Sequence, residues 1–359
     1  MYNTEYFSQG LIMKAALLTG QNQNLIVKNI DTPEAQANEA LVKVVACGVC
    51  HTDLHYIDHG VPTFKKPPVI LGHEAAGIVE NDGNTFKKGD RVLLPPVFTC
   101  GECKFCADGR ENICQNMIML GNTINGAFAQ YIKVPEKDVI PMPDEIPLEE
   151  GCIIADAVST PYHAVVNRAK VKPSDRVIVF GCGGVGINVV QFACFAGAEV
   201  IACDIDDKKL ELAKELGAKF TVNPSKTDLK DFLKQNGGLV DIAFEVIGKP
   251  ETIETAFKTL GKAGKLCVVG YTSQNIIINP AKIMFFEQEI FGSIGCSLKD
   301  FPKILDIVKS GKINLNKLIA NKYELEDINT ALDELRASKV LRNIILPNGK
   351  GQDPLFLTK

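Results

Sequence analysis

The chain has no tryptophan and only five histidines in 359 residues, and neither sign of charge dominates: 39 basic against 43 acidic side chains give a net charge of −4. Nucleic-acid binding calls for a basic stripe, which is missing, so that class is set aside. No apolar run approaches the roughly 20 residues of a membrane-spanning helix. The opening MYNTEYFSQGLIM has neither the basic flank nor the long apolar core of a secretion signal, and the expectation is a cytoplasmic protein. A chain of this length can bury two cores, so disulfide stapling is unnecessary. In a reducing compartment, clustered cysteines then point to metal.

Cysteines are plentiful, twelve in all, and four fall within CGECKFCADGRENIC, residues 100 to 114. The spacing of Cys100, Cys103, Cys106 and Cys114 lets one loop wrap a tetrahedral ion without help from distant strands. Four thiolates suit zinc and leave no position for a substrate, which makes the site structural. An iron–sulfur cluster is the rival reading. Zinc is preferred because no proline or further cysteine follows and hydrophilic residues lie between. Such an ion would fix a loop that packing alone leaves unordered.

Residues 1–12 are polar and aperiodic and read as a flexible extension; MKAALLTG from Met13 reads as a first strand. To about residue 155 short alternating apolar runs (LVKVVAC, AAGIVE, DRVLLPP, AQYIKVP) are broken by Gly, Pro, Asn and Asp, the pattern of a β-rich domain. The rhythm then changes to strands interleaved with helices, from DRVIVFGCGGVGINVVQFACFAGAEVIACDID through GKLCVVG, which predicts a doubly wound parallel sheet. From about residue 296 the alternation weakens, and the last helix and strand fit either domain.

Two further stretches carry soft ligands. Cys50 in CGVCHTDLHY and His73 in LGHEAAG each follow a strand at a glycine-marked bend, a mixed sulfur and nitrogen pair that suits catalytic zinc. A Cys-x-x-Cys redox pair and a structural histidine are the alternatives. Asp156 lies inside the apolar run GCIIADAVST, where a carboxylate is costly unless paired or bound to a cation; an exposed turn acid is the other reading.

In VIVFGCGGVGINVV, Gly181, Gly183 and Gly186 follow a strand and open a helix in the order of a dinucleotide-binding turn, with Gly184 between them. The first permits the turn, the second lets a pyrophosphate approach the backbone, and the third packs helix on strand. Asp204 ends the next strand. A carboxylate there accepts from both ribose hydroxyls and repels a 2′-phosphate, which predicts NAD over NADP.

Together GVCHTD, GHEAAGIV, the four-cysteine stretch, GCGGVG and LRNIIL, spread from about Met13 to Leu346, resemble the zinc-dependent alcohol dehydrogenases of the medium-chain dehydrogenase/reductase family. The resemblance implies an α/β protein with a GroES-like β-rich catalytic domain made from both chain ends (13–158 and 296–359, with a structural zinc lobe at about 95–116) and a Rossmann domain at 159–295. It implies one catalytic and one structural zinc ion per chain, with Cys50, His73 and Asp156 as catalytic ligands; Asp156 stands where many members have a second cysteine. Cys152 is the rival third ligand. Glu74 resembles the glutamate behind the metal; a salt-bridged structural acid is the alternative. Thr52 and His55 match the hydroxyl and histidine of a proton relay, and Asp53 a group that ties down the loop or a neighbouring ligand. His51, Lys209, Val269 and Arg342 match cofactor contacts, at the pyrophosphate, the ribose, the carboxamide and the pyrophosphate in turn, with a solvated surface charge as the alternative for Lys209 and Arg342.

The implied activity is reversible NAD-linked oxidation of a primary, secondary or cyclic alcohol to an aldehyde or ketone, zinc lowering the pKa of the alcohol oxygen. Phe98, Met119 and Leu120 would line an apolar substrate pocket, and Tyr162 and His163 mark a place for a polar specificity group. Polyols, and alicyclic alcohols carried as coenzyme A thioesters, are alternative substrates. A non-catalytic dinucleotide sensor is the alternative of another class. Relatives pair through edge strands of the Rossmann sheet, so a homodimer or homotetramer is expected.

Overall fold

The computed structural model describes residues 11–356, so the extension expected at 1–12 falls almost entirely outside the described residues. The chain divides into two compact units. One comprises residues up to Cys103, Cys114–Ala155 and Leu315 onward; the other comprises Lys104–Ile113 and Asp156–Asn314.

The first unit is built on a seven-stranded sheet. Its spine, Glu39–Val49, pairs antiparallel with Glu74–Val79 on one side and with Arg342–Leu346 on the other, so strands from both chain ends meet here. The sequence EALVKVVACGV explains the position of this strand: apolar residues alternate with half-buried ones at first, and from Val44 onward every residue is apolar or small and buried. A strand covered on both faces needs that run. The core gathers Val42, Val44, Cys47, Leu54, Leu71 and Phe128 with Ile328, Leu332, Leu335 and Ile345 from the tail. Helix His51–Asp58 starts where the spine strand ends.

The second unit is the expected doubly wound sheet. Six parallel strands run in the order Phe220–Val222, Glu199–Cys203, Arg176–Phe180, Val240–Glu245, Leu260–Val268, Glu289–Gly292. RVIVF is central and almost wholly buried, as a strand covered on both faces must be. The helix after it, Gly186–Phe195, is apolar nearly all round and buries eight residues. Helix Asp207–Glu215 is capped by the Asp206 carboxylate, which accepts from the Lys208 N–H. This unit continues past residue 296 to Asn314, because helix Phe301–Lys309 buries Phe301, Ile304, Leu305 and Val308. Among the described residues no helix is long and apolar enough to cross a membrane.

Candidate active site

The four sulfurs of Cys100, Cys103, Cys106 and Cys114 lie within 4.8 Å of one another. Fifteen consecutive residues supply them all, so their gathering is a property of one loop. Cys114 Sγ is 3.4 Å from Cys100 Sγ and 3.9 Å from Cys103 Sγ. A disulfide would need about 2.05 Å. A tetrahedron with metal–sulfur bonds of about 2.3 Å has edges of about 3.8 Å, so the observed spacing fits zinc. Backbone N–H groups point at the sulfurs, Cys103 N at Cys100 Sγ and Cys100 N at Cys114 Sγ. Such donors favour thiolate, and those of Glu102 and Cys103 hold the Cys100 thiol below its ordinary range.

A second group brings together Cys50 Sγ, a ring nitrogen of His73 and carboxylate oxygens of Glu74 and Asp156, again within 4.8 Å. Each is placed by a local cause. Cys50 occupies the N-cap position where the spine strand turns into helix His51–Asp58. Its N–H donates to Asp53 Oδ2 at 3.0 Å, while Asp53 Oδ1 accepts from Gly72 N at 3.3 Å and stands 3.6 Å from His73 Nδ1. The buried Asp53 carboxylate thus ties the Cys50 bend to the His73 turn, the role the sequence suggested for it. Asp156 directly follows the turn Cys152–Ala155, and its Oδ1 accepts from Thr160 Oγ1. Cys152 does not join the group; its sulfur lies 3.5 Å from the Glu149 carbonyl and burial pushes its thiol far up.

Behind the group is a contact that sequence reasoning missed. Arg342, expected as a cofactor contact or a surface charge, is 2% exposed. Its Nη1 donates to the Val49 carbonyl at 2.9 Å and stands 3.4 Å from Glu74 Oε1. A surface position is thereby ruled out, and the guanidinium faces the carboxylate behind Cys50 and His73. The only sequence signal was a lone arginine opening an apolar strand.

Along the helix, Thr52 Oγ1 is 3.7 Å from Cys50 Sγ, and His55 Nδ1 is 2.9 Å from His59 Nδ1. His59 is exposed and His51 is exposed, while Thr52 and His55 are half-buried. Burial and then the neighbouring His59 hold His55 below the usual imidazole range. His59 was not singled out from sequence, although its i, i+4 spacing from His55 on a helix was available. Phe98 and Leu120 are buried and Met119 is half-buried; Val97–Phe98 pairs with Ile118–Met119. The Tyr56 hydroxyl, also missed, lies 3.8 Å from Met119 Sδ.

In the second unit the glycine turn has the expected form. Gly181 has φ +91°, and a Cβ on Gly186 would fall 1.8 Å from the Gly181 carbonyl oxygen. A Cβ on Gly183 would meet open space, leaving room for a ligand to approach the backbone. Asp204 faces this turn: Oδ2 accepts from Cys182 N at 2.7 Å and Oδ1 from Asp206 N at 2.9 Å. Lys209 is half-buried on the following helix. Val269 N donates to the Glu245 carbonyl at 2.8 Å. Glu245 itself is fully buried, and its carboxylate accepts from Ile247 N, Gly248 N and Thr252 Oγ1. This second anchor, next to the glycine turn through the Val246 N–H bond to Phe180, had no sequence signal beyond a strand-terminal acid.

Residues 36–144 match the alcohol dehydrogenase GroES-like domain model, and residues 184–310 match the zinc-binding dehydrogenase model. An alcohol dehydrogenase of Geobacillus stearothermophilus is 34% identical over 93% of this chain and 99% of its own length. A sorbitol dehydrogenase of Bacillus subtilis is 33% identical over 94% of this chain and 98% of its own. Among solved structures, 2R,3R-butanediol dehydrogenase from Bacillus subtilis superposes with a TM-score of 0.85 at 31% identity, covering 94% of this chain and 100% of that one. With its two domain signatures in order and relatives matched over nearly their whole length, the chain belongs to the zinc-dependent alcohol dehydrogenases of the medium-chain dehydrogenase/reductase family.

Proposed function

We propose that the first unit is the catalytic domain and the second the NAD-binding domain of an enzyme that reversibly oxidises a primary, secondary or cyclic alcohol to the carbonyl compound. The observation that carries this reading is the gathering of Cys50, His73 and Asp156 beside Thr52 on one end of a helix that also bears His55. A thiolate, an imidazole and a carboxylate form a donor set that suits zinc and leaves room for a further ligand. Zinc held there would act as a Lewis acid toward the alcohol or carbonyl oxygen, and NAD would accept or return the hydride.

The chain's own residues supply the rest. Asp53 keeps Cys50 and His73 in register, and Arg342 holds Glu74 against them. The Thr52 hydroxyl can accept the alcohol proton and pass it toward His55, whose ring is kept neutral by burial and by His59 and is therefore ready to take it. His59, exposed to water, delivers that proton to solvent. Because His59 helps to depress His55, His59→Gln is expected to raise the His55 pKa. The acid limb of kcat/KM for alcohol oxidation then moves to higher pH, since His55 must be neutral to act. A pH–rate profile reads this, and an unmoved limb rejects the relay.

Asp204 supports NAD. Its two oxygens already accept backbone N–H groups, yet a carboxylate has about four acceptor sites and keeps capacity for ribose hydroxyls. Asp204→Asn removes the charge that would repel a 2′-phosphate. The NADP-to-NAD ratio of kcat/KM is expected to rise about tenfold, equivalent to about 1.4 kcal/mol. An unchanged ratio would mean that another group sets the preference.

The apolar Phe98, Leu120 and Met119 favour a medium-sized or cyclic alcohol. A polyol is the second reading, favoured by the polar Tyr56 hydroxyl beside Met119 and by the likeness to a protein named sorbitol dehydrogenase. Turnover of cyclohexanol against sorbitol separates the two. No absorbance rise with any alcohol would favour a dinucleotide sensor instead. Among the described residues no cysteine is joined in a disulfide, which suits a reducing cytoplasm.

A homo-oligomer is part of the proposal. Edge strand Glu289–Gly292 and helix Pro280–Phe286 expose Ile290, Met284 and Phe285, the last 73% exposed, and this helix buries none of its residues. Such an apolar edge calls for a second copy. Sedimentation of Phe285→Glu is expected to show a smaller species than wild type; equal species would place the interface elsewhere.

A further inference from the structure

The second unit contains another gathering of ligand-type side chains, one for which the proposed reaction has no use. His163, Cys296 and Asp300 each place one ring nitrogen, sulfur or carboxylate oxygen within 4.8 Å of the other two. They come from two separate stretches of chain, His163 from one and Cys296 and Asp300, four residues apart, from the other. His163 opens the π-helical stretch His163–Ala169, Cys296 lies in the loop after strand Glu289–Gly292, and Asp300 ends the short turn Leu298–Asp300. A π-helical stretch is rare and tends to mark a functional position.

The surroundings hold the three groups ready for a ligand. Asp300 is 4% exposed and takes the N-cap position of helix Phe301–Lys309, yet its side chain makes no capping bond. Its Oδ2 accepts from Asn167 Nδ2 at 2.7 Å, and the same amide lies 3.1 Å from His163 Nδ1. Burial holds His163 down to about 4, so the ring is neutral at physiological pH and keeps a lone pair to give. An independent observation points the same way. Asn112 is 8% exposed, its Nδ2 lies 3.4 Å from His163 Nε2 and donates to the Ile294 carbonyl at 2.8 Å, and its Oδ1 has no hydrogen-bond partner. A buried amide oxygen without a partner is costly unless something binds it.

We propose that His163, Cys296 and Asp300, with the Asn112 side-chain amide next to His163, form a third site for a soft divalent cation such as zinc or cobalt. Imidazole, thiolate and carboxylate together select that class of ion over magnesium or calcium. Binding displaces the Cys296 thiol proton to solvent and clamps the two stretches together. The site shares no residue with the Cys50, His73 and Asp156 group and no cysteine with the four-cysteine loop, which contributes Asn112 alone, so its fate does not depend on the reading of the reaction.

The test is metal content after dialysis to saturation against zinc. Cys296→Ser and Asp300→Asn are each expected to hold one zinc ion per chain fewer than wild type, and Cys50→Ser combined with Cys296→Ser two fewer. Equal content in wild type and both single variants overturns the site. A loss in Cys50→Ser alone would then speak only to the reaction centre. Should the single variants fail to fold, cobalt added to wild type brought to two zinc ions per chain, one for each of the other two groups, gives the reading. A thiolate-to-cobalt charge-transfer band without zinc release supports the site. No band, or a band matched by released zinc, overturns it.

Discussion

Cys50→Ser is expected to hold one zinc ion per chain fewer than wild type and to lose turnover by about 10³-fold, the scale on which removing transition-state charge stabilisation is felt. Serine keeps the shape of the side chain but offers a protonated, harder oxygen where the structure gathers a thiol with His73 and Asp156. The loss should appear in kcat. NADH binding should be unaffected, because the glycine turn, Asp204 and Glu245 belong to the other unit. The absence of tryptophan makes this easy to separate, since bound-NADH emission is read without indole. A variant that loses NADH binding together with turnover would indicate general unfolding and not the loss of a ligand.

Arg342→Met should be the most destabilising single change outside the metal ligands. The guanidinium is buried, faces Glu74 at 3.4 Å and donates to the Val49 carbonyl. Methionine approximates the stem and removes the charge. Breaking a buried ion pair from one side costs about 3–5 kcal/mol, because the remaining carboxylate stays in a low-dielectric site. Urea unfolding measures it. The double variant with Glu74→Gln should recover part of the loss, as the stranded charge is then gone too. A single-variant cost under about 1 kcal/mol would mean that the pair contributes no more than a surface contact.

Features held in short stretches are legible in the amino-acid sequence. CGECKFCADGRENIC needs only its own loop to gather four sulfurs, and VIVFGCGGVGINVV carries strand, turn and helix in one segment, so spacing alone reports the site. The alternation of strand and helix after residue 160 announces the parallel sheet for the same reason. Contacts between distant segments are not legible. The Arg342–Glu74 pair exists because Arg342–Leu346 lies antiparallel to the end of Glu39–Val49, which in turn lies beside Glu74. Nothing in LRNIIL records that register. The His163, Cys296 and Asp300 group is hidden in the same way: Cys296 and Asp300 stand four residues apart, but His163 joins them from a distant stretch, and no spacing records that meeting. The weakening strand and helix rhythm places the return of the tail at 296, whereas the apolar face of Phe301–Lys309 keeps the chain in the second unit to Asn314. Asp156 is visible in the sequence as a carboxylate in an apolar run, but its partners Cys50 and His73 lie about a hundred residues away and only the fold brings them to it.

The central claim is that Asp156, and not Cys152, completes the metal site with Cys50 and His73. Zinc content per chain of Asp156→Ala and Cys152→Ala, measured beside wild type, tests it most directly. The account predicts one ion fewer and no turnover in Asp156→Ala, with the wild-type ion content and measurable turnover kept in Cys152→Ala. Wild-type zinc in Asp156→Ala, or the loss of an ion from Cys152→Ala alone, would contradict it.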